Sequence, residues 1–383
     1  MRARRLAADL ARLAAVCLLA ALVASCGRSP DSVVAAAKRQ GNNEPPVLNV
    51  YNWLEYIKPE VLRKFETQYG IKIHYDTFDS MGVMEAKLLA GHSGYDVAFP
   101  SGAYLERLVA AGVFRPLDPA KLPNLANMDP EIMQRLAAHD PDNAHAIPYA
   151  WGITGLAYDA AKIKARLPNA PVDSWALLFD PVVVSHFADC GIGLYESPQI
   201  IVPSALAWLG LPPNSEDEAL LKRAQAVLMA IRPYIRKITN GSLIEEIASG
   251  QLCLIIASNG DAMQAQERVR IAKNGLDIRY SIPREGAVIW VDSAAILADA
   301  PHPANAHLFL DFLMDPAIAA ENTNAIHFPN ANAAAQGMVR KELTNAANMP
   351  DPQIAARLIP ERAKSDAYVS MRTRMWTRFR TGQ

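Results

Sequence analysis

Apolar segments typical of strands alternate with amphipathic segments typical of helices, and this alternation constrains the fold more than any other feature. VLNVYNW has the character of a buried strand, and PEVLRKFETQYG has Pro59 in its first turn and Gly70 at its end, as a helix does. IKIHYDTF, MEAKLLAG with Ser80 as its cap, GYDVAFP and AYLERLVAAG continue the pattern. This order predicts an α/β fold with a mostly parallel sheet flanked by helices.

A second α/β pattern follows the strand WGITGLAYD. Helices are indicated by SWALLF, EDEALLKRAQAVLMAI and SLIEEIASG, and strands by LCLIIAS, IRYSI and AVIWVDSAAIL. A terminal helix contains Met371, Trp376 and Phe379, and its arginines are best explained as the charged outer face of a packed helix. Ligands of such sheets bind where strands end, so the segments 51–56 and 100–104 are candidates for site turns.

The N-terminus has the pattern of an export signal. Four arginines precede an apolar run at 13–23, which is shorter than the about 20 residues of a transmembrane helix. Small residues end directly at Cys26, which resembles the bacterial lipobox, in which the cysteine is lipidated. The alternative is a plain signal peptide with a chance cysteine. We therefore expect a lipoprotein signal at 1–25 and a flexible tether at 26–46, because the latter is too polar and small to bury a core.

Charge and cysteine content limit the kinds of ligand and cross-link that the protein can have. The formal net charge of −1 leaves no basic field for nucleic acid. In an exported chain, we expect Cys190 and Cys253 to form a disulfide, although two buried free thiols would also fit the sequence. Zinc is disfavoured because the chain has no CxxC and no HxxxH pattern.

The motifs of common enzyme classes are absent from the sequence. It contains no G-x-S-x-G elbow, no H-E-x-x-H, no P-loop and no glycine-rich dinucleotide turn. His139 and His145 flank a polar Asp-Pro-Asp-Asn loop, which is explained more simply by a solvated turn than by a metal clamp. We therefore expect neither catalysis nor a cofactor.

Longer segments resemble one known family. They are YNWLEYI, GIKIHYDTFDS, GYDVAFPS, GVFRPLD, DPDNAHAIPYAWGITGLAYD, APVDSW, SIPREGA and MRTRMWT. In this order and spacing, from Leu48 to the C-terminus, the chain is similar to the periplasmic putrescine- and spermidine-binding proteins of bacterial ABC polyamine transporters.

The resemblance implies a type II periplasmic-binding-protein fold with the ligand cleft between two lobes. Lobe 1 would comprise 47–151 and about 291–325, and lobe 2 would comprise 152–290 and about 326–383. The implied hinges lie near 149–152 and 288–292. The implied function is capture of a polyamine, most simply putrescine, by a monomer that delivers it to a permease and its ATPase in the inner membrane. The alternative is a sensor or scaffold lipoprotein with altered or lost polyamine specificity.

The resemblance also implies the ligand-binding residues, whose chemistry suits a protonated amine chain. Carboxylates hold ammonium ends, while aromatic rings flank methylenes and make cation–π contacts. The matching or adjacent positions are Trp53, Glu55, Tyr56, Ser101, Tyr104, Asp261, Trp290, Asp292, Phe328, Glu196 and Ser258. Taken singly, each tryptophan could be a core residue, and Glu55 or Asp261 could be a surface or capping acid.

Four positions depart from the family pattern. Ser258 stands at a family tryptophan, Ile200 at a glutamate, Phe328 at a tyrosine, and Leu54 at a small hydroxyl residue. Glu196 and the nearby Gln199 can restore polarity. The remaining carboxylates still favour a cation, because leaving them unpaired in a closed cleft is costly.

Overall fold

The computed structural model describes residues 43–344, 350 and 352–383, so the predicted signal, Cys26 and most of the predicted tether lie outside the described residues. The strands are β1 (Val47–Trp53), β2 (Lys72–Phe78), β3 (Val97–Ala98), β4 (Ala146–Asp159), β5 (Ile192–Leu194), β6 (Lys237–Ile238), β7 (Leu254–Ser258), β8 (Ile278–Ser281), β9 (Ala287–Ile296) and β10 (Leu358–Pro360). They confirm the predicted α/β class.

The helices alternate with these strands through most of the described chain. They are α1 (Pro59–Tyr69), α2 (Met81–Leu89), α3 (Gly102–Ala110), α4 (Pro130–Ala137), α5 (Ala160–Arg166), α6 (Ala176–Phe179), α7 (Pro181–Ser185), α8 (Pro198–Trp208), α9 (Glu218–Ile231), α10 (Leu243–Ala248), α11 (Asn259–Ala272), α12 (Pro303–Leu313), α13 (Pro316–Ile326), α14 (Pro352–Ala355) and α15 (Asp366–Thr381). Short 3-10 helices occupy connections at Pro119–Lys121, Pro123–Asn127, Pro141–Asn143, Arg232–Tyr234, Ala333–Met338 and Lys341–Leu343.

Local sequence explains several helix ends. Helix α1 begins with Pro59 and stops at Gly70, whose φ of 65° lies in the left-handed region that glycine adopts without steric cost. Helix α2 is capped by Ser80, whose hydroxyl accepts a hydrogen bond from the Val83 amide at 3.4 Å. Both predictions from the sequence are confirmed.

Two long strands connect the halves of the sheet. The strand order is β2-β1-β3-β9-β4-β7-β5-β6, with β10 beside β9 and β8 beside β4. Strand β4 pairs antiparallel with β9 over its first half and with β7 and β8 over its second half. Within the described strands, every antiparallel pairing includes β4 or β9, and the other pairings are parallel. The crossing strands thus account for the departure from a fully parallel sheet.

Two large hydrophobic cores lie on either side of this crossing. The first core draws on β1–β3, the helices between them, the end of β9 and α12, and also contains Phe328 and Ala331. The second core is formed mainly by residues 156–256, and the buried face of α15 with Tyr368, Met375 and Phe379 packs against it. This packing gives the two-lobed arrangement, while the exact lobe boundaries stay a prediction.

The second core contains a covalent link. Cys190 and Cys253 form a disulfide, with their Cα atoms 5.5 Å apart and a separation of 63 positions in sequence. This confirms the predicted pairing over the alternative of two free thiols. Across the described ranges, we find no helix with the length and apolar character needed to cross a membrane.

Candidate functional site

A buried carboxylate stands where β9 passes the start of α3. Asp292 is only 4% exposed, and its carboxylate accepts a hydrogen bond from the Ser101 hydroxyl. The two residues also form an isolated β-bridge. The Tyr56 hydroxyl is buried near the same carboxylate, but no partner completes a well-formed hydrogen bond to it within the described residues. We call Tyr56, Ser101 and Asp292 the Asp292 cluster.

The charge of this cluster is not balanced by a side-chain cation. Asp292 forms no salt bridge with any residue that the structure describes. Burial raises the pKa of its carboxyl to about 6, against the opposing effect of the hydroxyl groups beside it. The arrangement suits a positively charged ligand, because a buried carboxylate gains most from a cation that comes with hydrogen-bond donors.

A run of aromatic rings leads away from this cluster. The Phe328 ring meets Tyr56 edge-on at 5.5 Å between centroids and meets Trp290 edge-on at 5.4 Å. The Trp290 indole N–H donates a hydrogen bond to the Ser258 hydroxyl at 3.2 Å. Together these rings form an apolar wall of the kind that methylene groups pack against.

Two glycines allow this wall to pack closely against the backbone. A Cβ on Gly260 would lie 2.4 Å from the Phe328 ring, and one on Gly152 would lie 2.3 Å from the Trp290 ring. Such distances are too short for any side chain larger than hydrogen. The glycines therefore fix how near Phe328 and Trp290 stand to α11 and β4.

A second carboxylate lies at the far end of the wall, at the start of α11. Asp261 closes a capping box in which its carboxylate accepts a hydrogen bond from the Ser258 N–H, while the Ser258 hydroxyl accepts one from the Asp261 N–H. The Tyr195 hydroxyl also donates to the Asp261 carboxylate and accepts a bond from the Ser258 N–H at 2.7 Å. We call Tyr195, Ser258 and Asp261 the Asp261 cluster.

A third carboxyl borders the same region. Glu361 follows Pro360, which pairs with Ile289 in the parallel register of β10 and β9, so Glu361 comes level with Trp290. One carboxyl oxygen of Glu361 is buried without a hydrogen-bond partner among the described residues, although other parts of the residue reach the surface. Burial and then the nearby Asp292 raise the pKa of Glu361 to about 7, while Arg372 and Arg107 oppose this rise.

Glu361 lines a small cavity, partly open to solvent, between α3 and α8. Its lining is Ala103, Tyr104, Arg107, Gln199, Pro203, Pro213, Asn214, Val288, Ile359, Pro360, Glu361, Arg362, Lys364, Tyr368 and Arg372. Because these residues come from both sides of the crossing strands, the cavity belongs to the cleft between the lobes.

Comparison with known proteins gives this cleft its context. The sequence model of the bacterial extracellular solute-binding proteins matches residues 60–351. The chain belongs to this family. SpuD, a putrescine-binding periplasmic protein of Pseudomonas aeruginosa, is 41% identical over 352 residues, which cover 91% of this chain and 95% of SpuD. PotF, a putrescine-binding periplasmic protein of Escherichia coli, is 39% identical over 343 residues, which cover 89% of this chain and 93% of PotF.

A solved structure agrees with the two-lobed fold of this solute-binding protein. PotD of Streptococcus pneumoniae, a spermidine/putrescine ABC transporter substrate-binding protein, superimposes with a TM-score of 0.73 at 25% sequence identity. The match covers 88% of this chain and 99% of PotD. The resemblance stated from sequence motifs, including the type II fold, is therefore confirmed.

The structure of the solute-binding protein brings seven of the predicted ligand-binding residues into one connected set. They are Tyr56, Ser101, Asp261, Ser258, Trp290, Asp292 and Phe328. Their roles toward a ligand stay predictions. Phe328 lies where the resemblance implies a tyrosine, and its ring still contacts both Tyr56 and Trp290.

The other predicted residues have different surroundings. Trp53 packs on Phe78 with 4.7 Å between ring centroids, and its indole nitrogen is buried without a partner among the described residues. Tyr104 lies against the Arg107 guanidinium in the cavity beside Glu361. Tyr104 meets the Asp292 cluster through its backbone N–H, which donates to the Ser101 carbonyl oxygen at 2.9 Å, rather than through a ring contact.

Two predicted acids pair with arginines instead. The Glu55 side chain is 70% exposed, and its carboxylate lies 3.7 Å from Arg268 of α11. Glu196 pairs with Arg380 of the terminal helix. Neither acid is placed in the two carboxylate clusters, because each is drawn to a nearby guanidinium at the surface.

The histidines show no sign of a metal centre. His139 is buried and contacts the Glu106 carboxylate at 3.2 Å, so it is a packed residue rather than part of the solvated turn we expected. His145 contacts the buried Asp140 at 2.8 Å. Within the described residues, no three histidine, cysteine, aspartate or glutamate side chains come together as metal ligands.

Sequence reasoning missed Tyr195 and Glu361. Tyr195 directly follows β5, and strand ends were the positions expected to carry site residues, so its placement was a usable signal. Glu361 had no such signal, because β10 is only three residues long and pairs with a strand about 70 positions earlier.

Proposed function

We propose that this protein is the substrate-binding component of an ABC transporter and captures a polyamine, most simply putrescine. SpuD and PotF support this proposal, because both are putrescine-binding periplasmic proteins and match most of the chain. We further propose that the protein binds its ligand without converting it chemically, which agrees with its membership of a family of solute-binding proteins.

The main observation in support of the proposal is the buried carboxylate of Asp292, which has no cationic partner among the described residues. An ammonium group can take the place that no described side-chain cation fills, while Ser101 and Tyr56 supply hydroxyl groups around it. The methylenes would lie along Phe328 and Trp290, and a second ammonium would reach Asp261. Cation–π contacts with the tryptophan ring would add about 0.5–2 kcal/mol.

Closure would occur around the two crossing strands. In the pairing of β4 with β9, Ala150 lies opposite Asp292 and Gly152 lies opposite Trp290. These pairs fall within the hinge segments 149–152 and 288–292 that the resemblance implies. We propose that rotation there encloses the amine between the lobes, with the boundaries expected from the sequence, and presents the closed form to the permease.

Export and anchoring form a separate part of the proposal. We propose that the chain acts as a monomer in the periplasm and that Cys26 carries a lipid that holds it at a membrane. Metabolic labelling with a radioactive fatty acid should mark the wild-type protein and leave Cys26→Ser unlabelled. Equal labelling of both proteins would contradict the anchor at Cys26.

Calorimetric titration tests the proposed ligand. The purified protein, stripped of bound ligand, would be titrated with putrescine, cadaverine, spermidine and agmatine. We expect binding at micromolar Kd or tighter for at least one amine, which corresponds to about −8.2 kcal/mol. Asp292→Asn should weaken that binding at least about 100-fold, because one partner of a buried charge pair is lost.

A surface carboxylate gives the matched control. Asp277→Asn removes an acid whose side chain is 48% exposed and paired with Arg279, so amine binding should stay unchanged. The absence of heat with every amine would contradict the polyamine proposal. It would favour the alternative of a sensor or scaffold with a different ligand.

A further inference from the structure

Tyr195 connects a strand end to the second carboxylate of the cleft. It follows β5, yet its hydroxyl donates to a carboxylate oxygen of Asp261 at the start of α11. The same hydroxyl accepts a hydrogen bond from the Ser258 N–H at 2.7 Å. One phenol thus joins the end of β5, the end of β7 and the first turn of α11.

The donors to Asp261 are neutral groups. Besides Tyr195, the Ser258 N–H donates to the same carboxylate oxygen at 3.3 Å. Neutral donors favour the ionised form of a carboxyl without cancelling its charge. Burial raises the pKa of Asp261, and the Tyr195 bond is the largest effect that opposes this rise.

The other titratable groups around Asp261 do not replace this support. Tyr280 from β8 and Tyr56 from the turn after β1 are tyrosines whose pKa values the charge of Asp261 helps to raise. Arg268 lies two turns along α11, and its guanidinium contacts the carboxylates of Glu55 and Glu245. Its positive charge also lowers the pKa of Asp261, but less than the Tyr195 bond does. Asp261 itself forms no salt bridge within the described part of the chain.

The position of this cluster matches one end of an extended diamine. Trp290 lies two residues before Asp292 on β9, and its indole N–H donates to Ser258. The ring therefore lies between the Asp292 cluster and the Asp261 cluster. An amine chain along this ring would bring one ammonium to each carboxylate.

We propose that Tyr195 is a positioning residue that holds the Asp261 carboxylate in place and ionised for the second ammonium group of a diamine. This inference rests on the proposed function of polyamine binding. It assigns a specificity role to a residue whose hydroxyl need not touch the ligand. A ligand with one ammonium group, held at Asp292, would be indifferent to Tyr195.

The test compares two ligands of equal chain length on Tyr195→Phe. Putrescine carries two ammonium groups and n-butylamine carries one. At pH 7, the substitution should weaken putrescine binding about 10-fold and change butylamine binding less than about twofold. The pH at which putrescine binding falls to half should also move upward, because an unsupported buried carboxyl loses its proton less readily.

Tyr280→Phe is the matched control. This tyrosine lies near Asp261, but its hydroxyl donates to the Ile153 carbonyl oxygen at 2.7 Å and not to a carboxylate. The control should leave both the putrescine-to-butylamine ratio and the pH profile unchanged. A purely structural role of Tyr195 would instead lower both affinities equally without moving the pH profile.

The outcomes separate this inference from the proposed function. Normal amine binding by the wild type with an unchanged ratio in Tyr195→Phe overturns the inference alone. If the wild type binds no amine, the proposed function fails, and the inference fails with it. If Tyr195→Phe does not fold, Asp261→Asn must reduce the same ratio, and an unchanged ratio in that variant overturns the inference.

Discussion

The Asp292 cluster and the Asp261 cluster support their carboxylates in different ways. Asp292 lies on a crossing strand and depends on side-chain hydroxyl groups, with Ser101 making the well-formed bond. Asp261 is built into a helix start, where a backbone N–H and the Tyr195 hydroxyl both donate to it. The difference shows that one carboxylate has little compensation from neighbouring donors, whereas the other is held by a backbone N–H and a phenol.

Removing the disulfide should have the largest effect on stability. The disulfide lies in the second core, on the same side of the crossing strands as the Asp261 cluster. The Cys190–Cys253 link joins two residues of the second core that are 63 positions apart in sequence. Replacing both cysteines with alanine should lower the free energy of unfolding by about 4 kcal/mol, from the chain entropy that the link removes from the unfolded state. Urea unfolding followed by circular dichroism measures this loss, and an unchanged midpoint would contradict the prediction.

Replacing Asp292 or Asp261 with asparagine should change the free energy of unfolding by different amounts, with a difference of up to about 2 kcal/mol between the two variants. The pKa of Asp292 in the folded protein is about 6, above the about 3.9 of an unfolded chain, so its ionisation costs stability increasingly between pH 4 and pH 6. In the ligand-free protein at pH 8, Asp292→Asn should therefore raise the free energy of unfolding by about 2 kcal/mol. Near pH 4 the gain should vanish.

Asp261→Asn should show a smaller gain or a loss under the same conditions. It alters the capping box and the bond from Tyr195, which offset the burial of this carboxylate. Urea titrations of both variants at pH 8 and pH 4 give the comparison. Equal gains would mean that the two carboxylates are compensated alike.

The affinity for an amine should fall about tenfold between pH 7 and pH 5. Asp292 with a pKa of about 6 is mostly ionised at pH 7 and mostly protonated at pH 5, and a protonated carboxyl loses its attraction for an ammonium group. Calorimetric titrations across this range check the prediction. The residual binding of Asp292→Asn should be much less dependent on pH, and an equally steep dependence would assign the effect to another group.

Glu361→Gln should have the smallest effect. The pKa of Glu361 is about 7, so its ionisation costs stability increasingly as the pH rises from about 4.5 to 7, and the cost is complete only above pH 7. Because part of the residue reaches solvent, we expect a gain of about 1 kcal/mol at pH 8.5 that disappears below pH 5. Glu218→Gln, which alters an exposed acid paired with Lys222, should leave stability unchanged within about 0.5 kcal/mol.

Much of the fold could be predicted from the sequence because its signals are local. Pro59, Gly70 and Ser80 act through their own backbone or their nearest neighbours, and the alternation of strands and helices gave the α/β class. The crossing of β4 and β9 depends on pairing between residues about 140 positions apart. That pairing was not predicted, and the resemblance to a known family implied only hinges near 149–152 and 288–292.

The residues of the candidate site were harder to predict from the sequence, because membership of the site depends on the direction in which each side chain points. Glu55 and Glu196 have the right charge, yet Arg268 and Arg380 hold them at the surface. Both arginines are distant in sequence, so their positions could not be read locally. Tyr195 was overlooked because its bond to Asp261 joins residues 66 positions apart in sequence.

The disulfide also determines which residues can meet in the cleft. Cys190 lies just before β5 and Cys253 just before β7; Tyr195 directly follows β5, and Ser258 is the last residue of β7. A shift of one residue between the strands would turn Tyr195 to the opposite face of the sheet. The disulfide therefore ties the two strands together covalently at the end opposite to Tyr195 and Ser258, in addition to the parallel pairing that sets their register.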